Sequence, residues 1–310
     1  MTVLVADVGG TNSRLAVTSD GYLDPTTIRR FRNADYQSFY DVIDDYQRAQ
    51  SVGAITACTV AMAGPVTSQR AKLTNLDWEI SAVDLKRVTS CQRALLMNDL
   101  TALGYSIGHL PPEGFETITE TVPDAPKNDQ FLVAGLGTGF NVCPVKKIGM
   151  SGAVCLEAEL GHVAPPLCVI EALEVRFAQS SDHFQSVEDC FSGRGLSQIY
   201  GLLAGREQIE AADIVASHAS GTDQHATQAL ELLAGLLGAL AREMALQYLP
   251  LNGLYFAGSV ARGLFDAGFG PVFQTSFAKH RRFETQLQHV PVFLITDDAA
   301  ALIGCVSASR

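Results

Sequence analysis

The chain has 310 residues, 47% of them hydrophobic and 18% charged, enough for two domains with substantial cores and too apolar for a disordered protein. Its 22 basic and 33 acidic residues leave a net charge of −11; such a surface repels nucleic acid and anionic lipid, and neither is expected as a partner. Seven cysteines lie scattered without a C-x-x-C spacing, which predicts reduced thiols in a cytoplasmic protein rather than a disulfide framework or a zinc site.

In chain order, apolar runs at residues 3–6 and 14–17 flank a Gly-Gly turn and predict an antiparallel hairpin. The first run has no basic lead, so it reads as a strand and not as a signal peptide. A third strand is expected near 27–31, a helix over 39–48, strands over 54–61 and 93–97, and a helix over 101–108. Pro111-Pro112 and the polar stretch 120–129 are the clearest linker or loop signals. Strands at 131–136 and 141–145 follow, then helices at 170–178, 196–204, 211–218 and 227–248. Within the last, residues 232–241 carry no charge, but they supply only half of the ~20 residues a membrane span requires. A buried helix is expected there, with Gly235 and Gly238 permitting close helix packing. The basic run Lys279-His280-Arg281-Arg282 reads as a solvated helix end. Strands at 253–257 and 290–295 and a helix from 299 complete an α/β pattern.

Two segments echo each other. Residues 4–17 and 132–145 share five identities over fourteen positions, each an apolar strand entering a Gly/Thr turn followed by a second strand. Glycines bring backbone N–H groups close to an anion, and successive N–H groups can cradle a phosphate. Gly9, Gly10, Thr11 and Asn12 form the first such turn, with Asp7 at the strand end placed to hold Mg²⁺ through water. Gly137, Thr138 and Gly139 form the second. One turn in each of two related halves points to a shared polyphosphate across a cleft. Neither is a P-loop, since no G-x-x-x-x-G-K-[ST] occurs. A third strand-to-helix turn, at Gly258 and Ser259, suits the approach of a flat ring or an anion.

The acidic residues complete the pattern. Asn98 and Asp99 follow a strand at the end where α/β sheets gather ligands, although a helix cap is the plainer role for an Asp there. Glu159 and His162 stand three residues apart around Gly161, and Glu188 precedes Ser192-Gly193-Arg194-Gly195. Asn, Asp, Glu and His are the side chains that take up sugar hydroxyls.

These residues together resemble the bacterial ATP-dependent glucokinases, within the wider actin-like group. The shared motifs are Asp7-Val8-Gly9-Gly10-Thr11-Asn12-x-Arg14, Gly64-Pro65, Leu73-Thr74-Asn75-x-x-Trp78, Asn98-Asp99-x-Thr101-Ala102, Gly137-Thr138-Gly139, Glu159-x-Gly161-His162, and Glu188 with Ser192-Gly193-x-Gly195-Leu196. The resemblance implies a two-domain actin-like ATPase (ribonuclease H-like) α/β fold with an active-site cleft. Its small domain would comprise residues 1–109 plus 296–310, and its large one 110–295. It implies phosphoryl transfer from ATP to the 6-hydroxyl of glucose or a related hexose, with Asp99 as catalytic base. Asn98, Asp99, Glu159, His162 and Glu188 would bind the sugar. Asp7, Gly9–Asn12, Gly137–Gly139 and Gly258 would bind ATP and Mg²⁺, the metal through Asp7. Sugar-driven domain closure and a homodimer formed through the large domain are further expectations.

The chain departs from the family pattern at Asn141 and Ser259, where glycines are usual, and at Leu160, which replaces a glycine beside Glu159. Two other readings stay open. One is a ROK-type kinase of another hexose or an N-acetylhexosamine, against which stands the absence of a cysteine cluster after His162. The other is a non-catalytic sugar- or nucleotide-sensing regulator, disfavoured by the retention of Asp99 and a first strand beginning at Val3.

Overall fold

In the computed structural model the chain divides into two compact units, residues 1–114 with 297–310, and residues 115–296. The structure describes residues 2–50, 52–73, 76–149, 152–177, 182–279 and 282–310. Thr74 and Asn75 of one motif, Ala178 at an expected helix end, and His280 and Arg281 of the basic run lie outside the described residues.

Unit one opens with the expected hairpin, Thr2–Val8 (β1) and Asn12–Ser19 (β2), followed by Tyr22–Leu23 (β3) and Arg29–Arg32 (β4). The short 3₁₀ turn Pro25–Thr27 delays β4 past the start expected for it. Next come the helix Phe39–Gln50 (α1), Ile55–Met62 (β5), the small hairpin Arg70–Lys72 (β6) and Glu79–Ser81 (β7), Ala82–Thr89 (α2), Arg93–Asn98 (β8) and Asp99–Ser106 (α3). The main sheet runs β3-β2-β1-β5-β8, with β4 also paired to β2. β1, β5 and β8 are parallel. Along β1 the side chains alternate between two buried faces, as the two-residue strand period dictates. Leu4, Ala6 and Val8 pack with Phe39, Ile43 and Tyr46 of α1, while Val3 and Val5 pack with Leu302 and Cys305 near the chain's C-terminal end.

Unit two begins with Phe115–Thr119 (β9), and the stretch 120–129 is an irregular loop inside it. Gln130–Leu136 (β10) and Phe140–Ile148 (β11) form the second hairpin, joined by Gly152–Cys155 (β12). Helices follow at Leu167–Arg176 (α4), Val187–Cys190 (α5), Gly193–Ala204 (α6), Ala211–Ala219 (α7) and Gln224–Tyr248 (α8). Gly253–Ala257 (β13), Ser259–Asp266 (α9), Gly270–Ala278 (α10), Glu284–Leu287 (α11) and Val292–Ile295 (β14) close the unit. Ala300–Ala308 (α12) then returns to unit one. The second sheet runs β12-β11-β10-β13-β14-β9, with β10, β13 and β14 parallel. A strand paired antiparallel to its hairpin partner and parallel to the next two strands thus occurs in each unit, giving the repeat seen in the sequence a topological basis.

The central stretch of α8 is buried as expected. The two glycines there differ, however. A Cβ at Gly238 would collide with the Phe273 carbonyl of α10, whereas one at Gly235 would meet only a Val272 methyl at 4.0 Å. Close packing therefore depends on Gly238 alone of the pair. No helix among the described residues is long and apolar enough to cross a membrane.

Candidate active site

In unit one the candidate residues gather where the parallel strands end. Val8 pairs with Met62, and Met62 with Asn98, so the first glycine turn and the Asn98-Asp99 pair leave the same edge of the sheet. The Gly9 N–H donates to the Asn12 carbonyl at 3.0 Å, closing the turn, and Thr11 stands exposed at its tip. The buried Asn33 holds that turn from below. Its amide donates to the Gly9 carbonyl at 2.8 Å, its side-chain oxygen accepts from the Ser13 hydroxyl at 2.8 Å, and its own N–H donates to the Thr11 carbonyl. Nothing in the local sequence marks Asn33, because its partners lie about twenty residues away.

Asp7 faces Arg14 across the hairpin, carboxylate to guanidinium 3.7 Å apart, and Arg14 also donates to the Asp298 carbonyl at 2.7 Å. Burial holds the Asp7 carboxyl above its usual range, and Arg14 opposes the shift. The helix expected from residue 101 begins two residues earlier. Asn98 is the N-cap of α3, accepting from the Leu100 N–H at 2.9 Å, and its amide donates to the Gly64 carbonyl at 3.3 Å. Asp99 is the first helical residue, and its carboxylate also accepts from the Leu100 N–H at 2.8 Å. Burial first, and the negative charge of Asp7 second, push the Asp99 carboxyl up to about 6, against the downward pull of its N–H donors. A helix N-terminus favours the carboxylate form; desolvation wins here. The carboxyl therefore holds its proton more tightly than an exposed one does.

Unit two brings together the second turn, Glu159, His162, Glu188 and Gly258. The Gly137 N–H donates to the Gly139 carbonyl at 3.0 Å, and the Gly193 N–H donates to the Gly137 carbonyl at 2.8 Å, so the start of α6 braces the turn. At Gly139 a Cβ would stand 2.5 Å from a Glu188 oxygen, so a side chain there would displace that carboxylate. Gly258 adopts φ 104°, and a Cβ there would collide with the Leu136 carbonyl, so the strand-to-helix bend can press against the turn only without a side chain. Ser259 lies exposed at the start of α9.

Glu188 has a double engagement that its sequence neighbourhood does not reveal. One oxygen accepts from the Phe140 N–H at 3.0 Å, and the other from Arg194 at 2.6 Å. The carboxylate thus buttresses the turn from which β11 departs. On the next residue, the Asn141 side chain donates to Glu159 at 3.0 Å. His162 lies 3.8 Å from the same carboxylate, and both Glu159 and His162 are about three-quarters exposed and open to a ligand. Gly161 lets this segment lie against β11, because a Cβ there would collide with the Phe140 carbonyl. A cavity of about 1030 Å³ elsewhere in unit two, lined by Cys168, Glu171, Gln228, Arg242 and Lys279 among others, includes none of these residues.

A glycine-turned hairpin feeding parallel strands, made once in each of two units with carboxylates gathered at the turns, defines the α/β fold of the actin-like ATPases in the branch that contains sugar kinases. The model of the Glucokinase family matches residues 4–310, and the chain belongs to that family. It is 30% identical over 97% of its length to the bifunctional protein glk of Burkholderia thailandensis, but covers only 47% of that protein, so it spans about half the length of such relatives. The glucokinase of Rhizobium leguminosarum is 26% identical, with 99% of this chain and 91% of that protein covered. Among solved structures, a glucokinase from an Antarctic psychrotroph superposes with a TM-score of 0.83 at 25% identity, covering 99% of this chain and 98% of the other.

Proposed function

We propose that this protein transfers the γ-phosphoryl group of ATP to the 6-hydroxyl of a hexose, glucose first among them. The observation that carries the reading is Asp99, a carboxylate at the carboxyl edge of the parallel strands whose pKa is pushed up to about 6 beside a glycine turn. Phosphoryl transfer has a loose transition state, so the protein's task is alignment and electrostatic support. Asp99 orients the sugar hydroxyl and takes its proton as the new O–P bond forms and the bond to the ADP oxygen breaks. The N–H groups of the turns at 9–12 and 137–139 support the phosphoryl oxygens. Glu159, His162 and Glu188 take up the other hydroxyls, with Asn98 beside the base.

Asp7 suits a hydrated Mg²⁺, which takes one or two carboxylates together with substrate phosphates. Its carboxyl is desolvated and close enough to Asp99 for the two negative charges to be felt, which a divalent cation would relieve. When bound, the metal would neutralise charge on the phosphates. A cytoplasmic setting rests on the scattered cysteines, and a homodimer on the family resemblance alone.

Turnover measured with ATP and with other phosphoryl donors across a panel of hexoses and N-acetylhexosamines tests the proposal. ATP-dependent formation of glucose 6-phosphate, with little ATP hydrolysis when sugar is omitted, is the expected result. Phosphorylation of none of the sugars would refute it.

A further inference from the structure

We propose that Asn141 is a positioning residue that fixes Glu159 before substrate arrives; the sugar-binding part of this rests on the hexose-kinase reading above. The amide of this one side chain makes four hydrogen bonds. It donates to the Glu159 carboxylate at 3.0 Å and to the Ala158 carbonyl at 2.6 Å, and it accepts from the Leu160 N–H at 3.0 Å and the Val142 N–H at 2.8 Å. The backbone on both sides of Glu159, and the carboxylate itself, are therefore tied to a single residue. That residue stands on β11, whose backbone pairs with Gly135 of β10, so the anchor is part of the sheet.

Two further contacts hold the same segment. The His162 N–H donates to the Glu159 carbonyl at 3.2 Å, and the Leu160 side chain packs on the unit-two core. The Leu160 backbone N–H and the Asn141 side chain meet in one hydrogen bond. A glycine at 141 has no side chain to make any of the four contacts. With one carboxylate oxygen turned to Asn141, the other is held ready to accept from a sugar hydroxyl. An acceptor fixed in this way spends less of the binding energy on ordering and tolerates a displaced hydroxyl poorly, so it lowers KM for the matching hexose and sharpens discrimination among epimers.

The test compares the wild-type protein with Asn141→Ala, Asn141→Gly and Asn141→Asp, measuring KM for hexose and for ATP, kcat, relative kcat/KM across hexose epimers, and amide exchange at Leu160. Losing these bonds should raise the hexose KM roughly threefold to tenfold, leave the ATP KM and kcat within about twofold, narrow epimer discrimination and speed Leu160 exchange. Asn141→Asp keeps both acceptor bonds yet sets a carboxylate against Glu159, so it should raise the hexose KM further than Asn141→Ala does; a purely structural role gives no such order. Unchanged Leu160 exchange in Asn141→Ala, or equal rises in the two KM values, would overturn the positioning role. Absence of hexose turnover in the wild-type protein would overturn the hexose-kinase reading and the sugar role with it, while Leu160 exchange would still report whether Asn141 holds the segment.

Discussion

Replacing Asp99 by Asn separates catalysis from stability, because it removes a charge and keeps a shape. The oxygen that accepts from the Leu100 N–H has a counterpart in the Asn side chain, so the first turn of α3 retains its bond. Desolvation and Asp7 raise the Asp99 carboxyl from 3.8 to about 6. At about 1.4 kcal/mol per pKa unit, the ionised group costs the folded state up to roughly 3 kcal/mol above that pH. The folded protein holds this proton more tightly than the unfolded chain does. The group's contribution is therefore fully present below the unfolded pKa near 4 and is lost as pH rises through about 6. A neutral Asn loses nothing over that window. Urea unfolding near pH 7.5 should show Asp99→Asn more stable than wild type by about 1–3 kcal/mol, with the gain vanishing near pH 4. The same substitution should lower kcat by roughly 10²–10⁴, the usual worth of a positioned general base. Wild-type kcat/KM should rise with pH through about 6 and then level off. A variant that unfolds more readily near pH 7.5, or that turns over normally, would refute the reasoning.

Other expectations concern contacts between elements. Glu188→Gln places an NH₂ group against either the Phe140 N–H or the Arg194 guanidinium. It should cost about 1 kcal/mol, given the exposure of Arg194, and raise the KM values of hexose and ATP together, unlike the Asn141 variants; enzyme kinetics and thermal unfolding check both. Gly304→Ala drives a Cβ into the Ala102 carbonyl where α12 crosses α3. It should destabilise unit one by roughly 1–3 kcal/mol and, by shifting the helix that begins with Asp99, lower kcat; urea unfolding and steady-state kinetics report the two effects.

The elements legible in the sequence are those whose signals are local. The hairpins around Gly9 and Gly137 announce themselves because an apolar strand, a glycine turn and a second strand are contiguous. The long helix α8 does so because its buried stretch exceeds any strand. Shorter pieces are less legible: β9 has apolar residues only at Phe115 and Ile118, out of step with a two-residue period, β6 and β7 are three residues each, and α10 begins with glycine. α3 starts two residues before the position its sequence suggests because Asn98 acts as its cap while still ending a strand. At the candidate site the residue types were readable and their supports were not. Asn33, Arg194 and the amide of Asn141 act on partners six to twenty-four positions away, and only the folded chain brings those atoms together.

The return of the chain to unit one at α12 has a consequence for biogenesis. A ribosome delivers every strand of both sheets before it delivers the helix that covers Val3, Val5 and Ala57. Until then α3, through Ala102, Leu103 and Tyr105, covers only part of that greasy face in the nascent first unit, while the inserted unit already has all its parts and can mature on its own schedule. Loss of residues 297–310 would leave the rest of that face permanently uncovered, a recipe for inclusion bodies even though every residue named for chemistry had been synthesised.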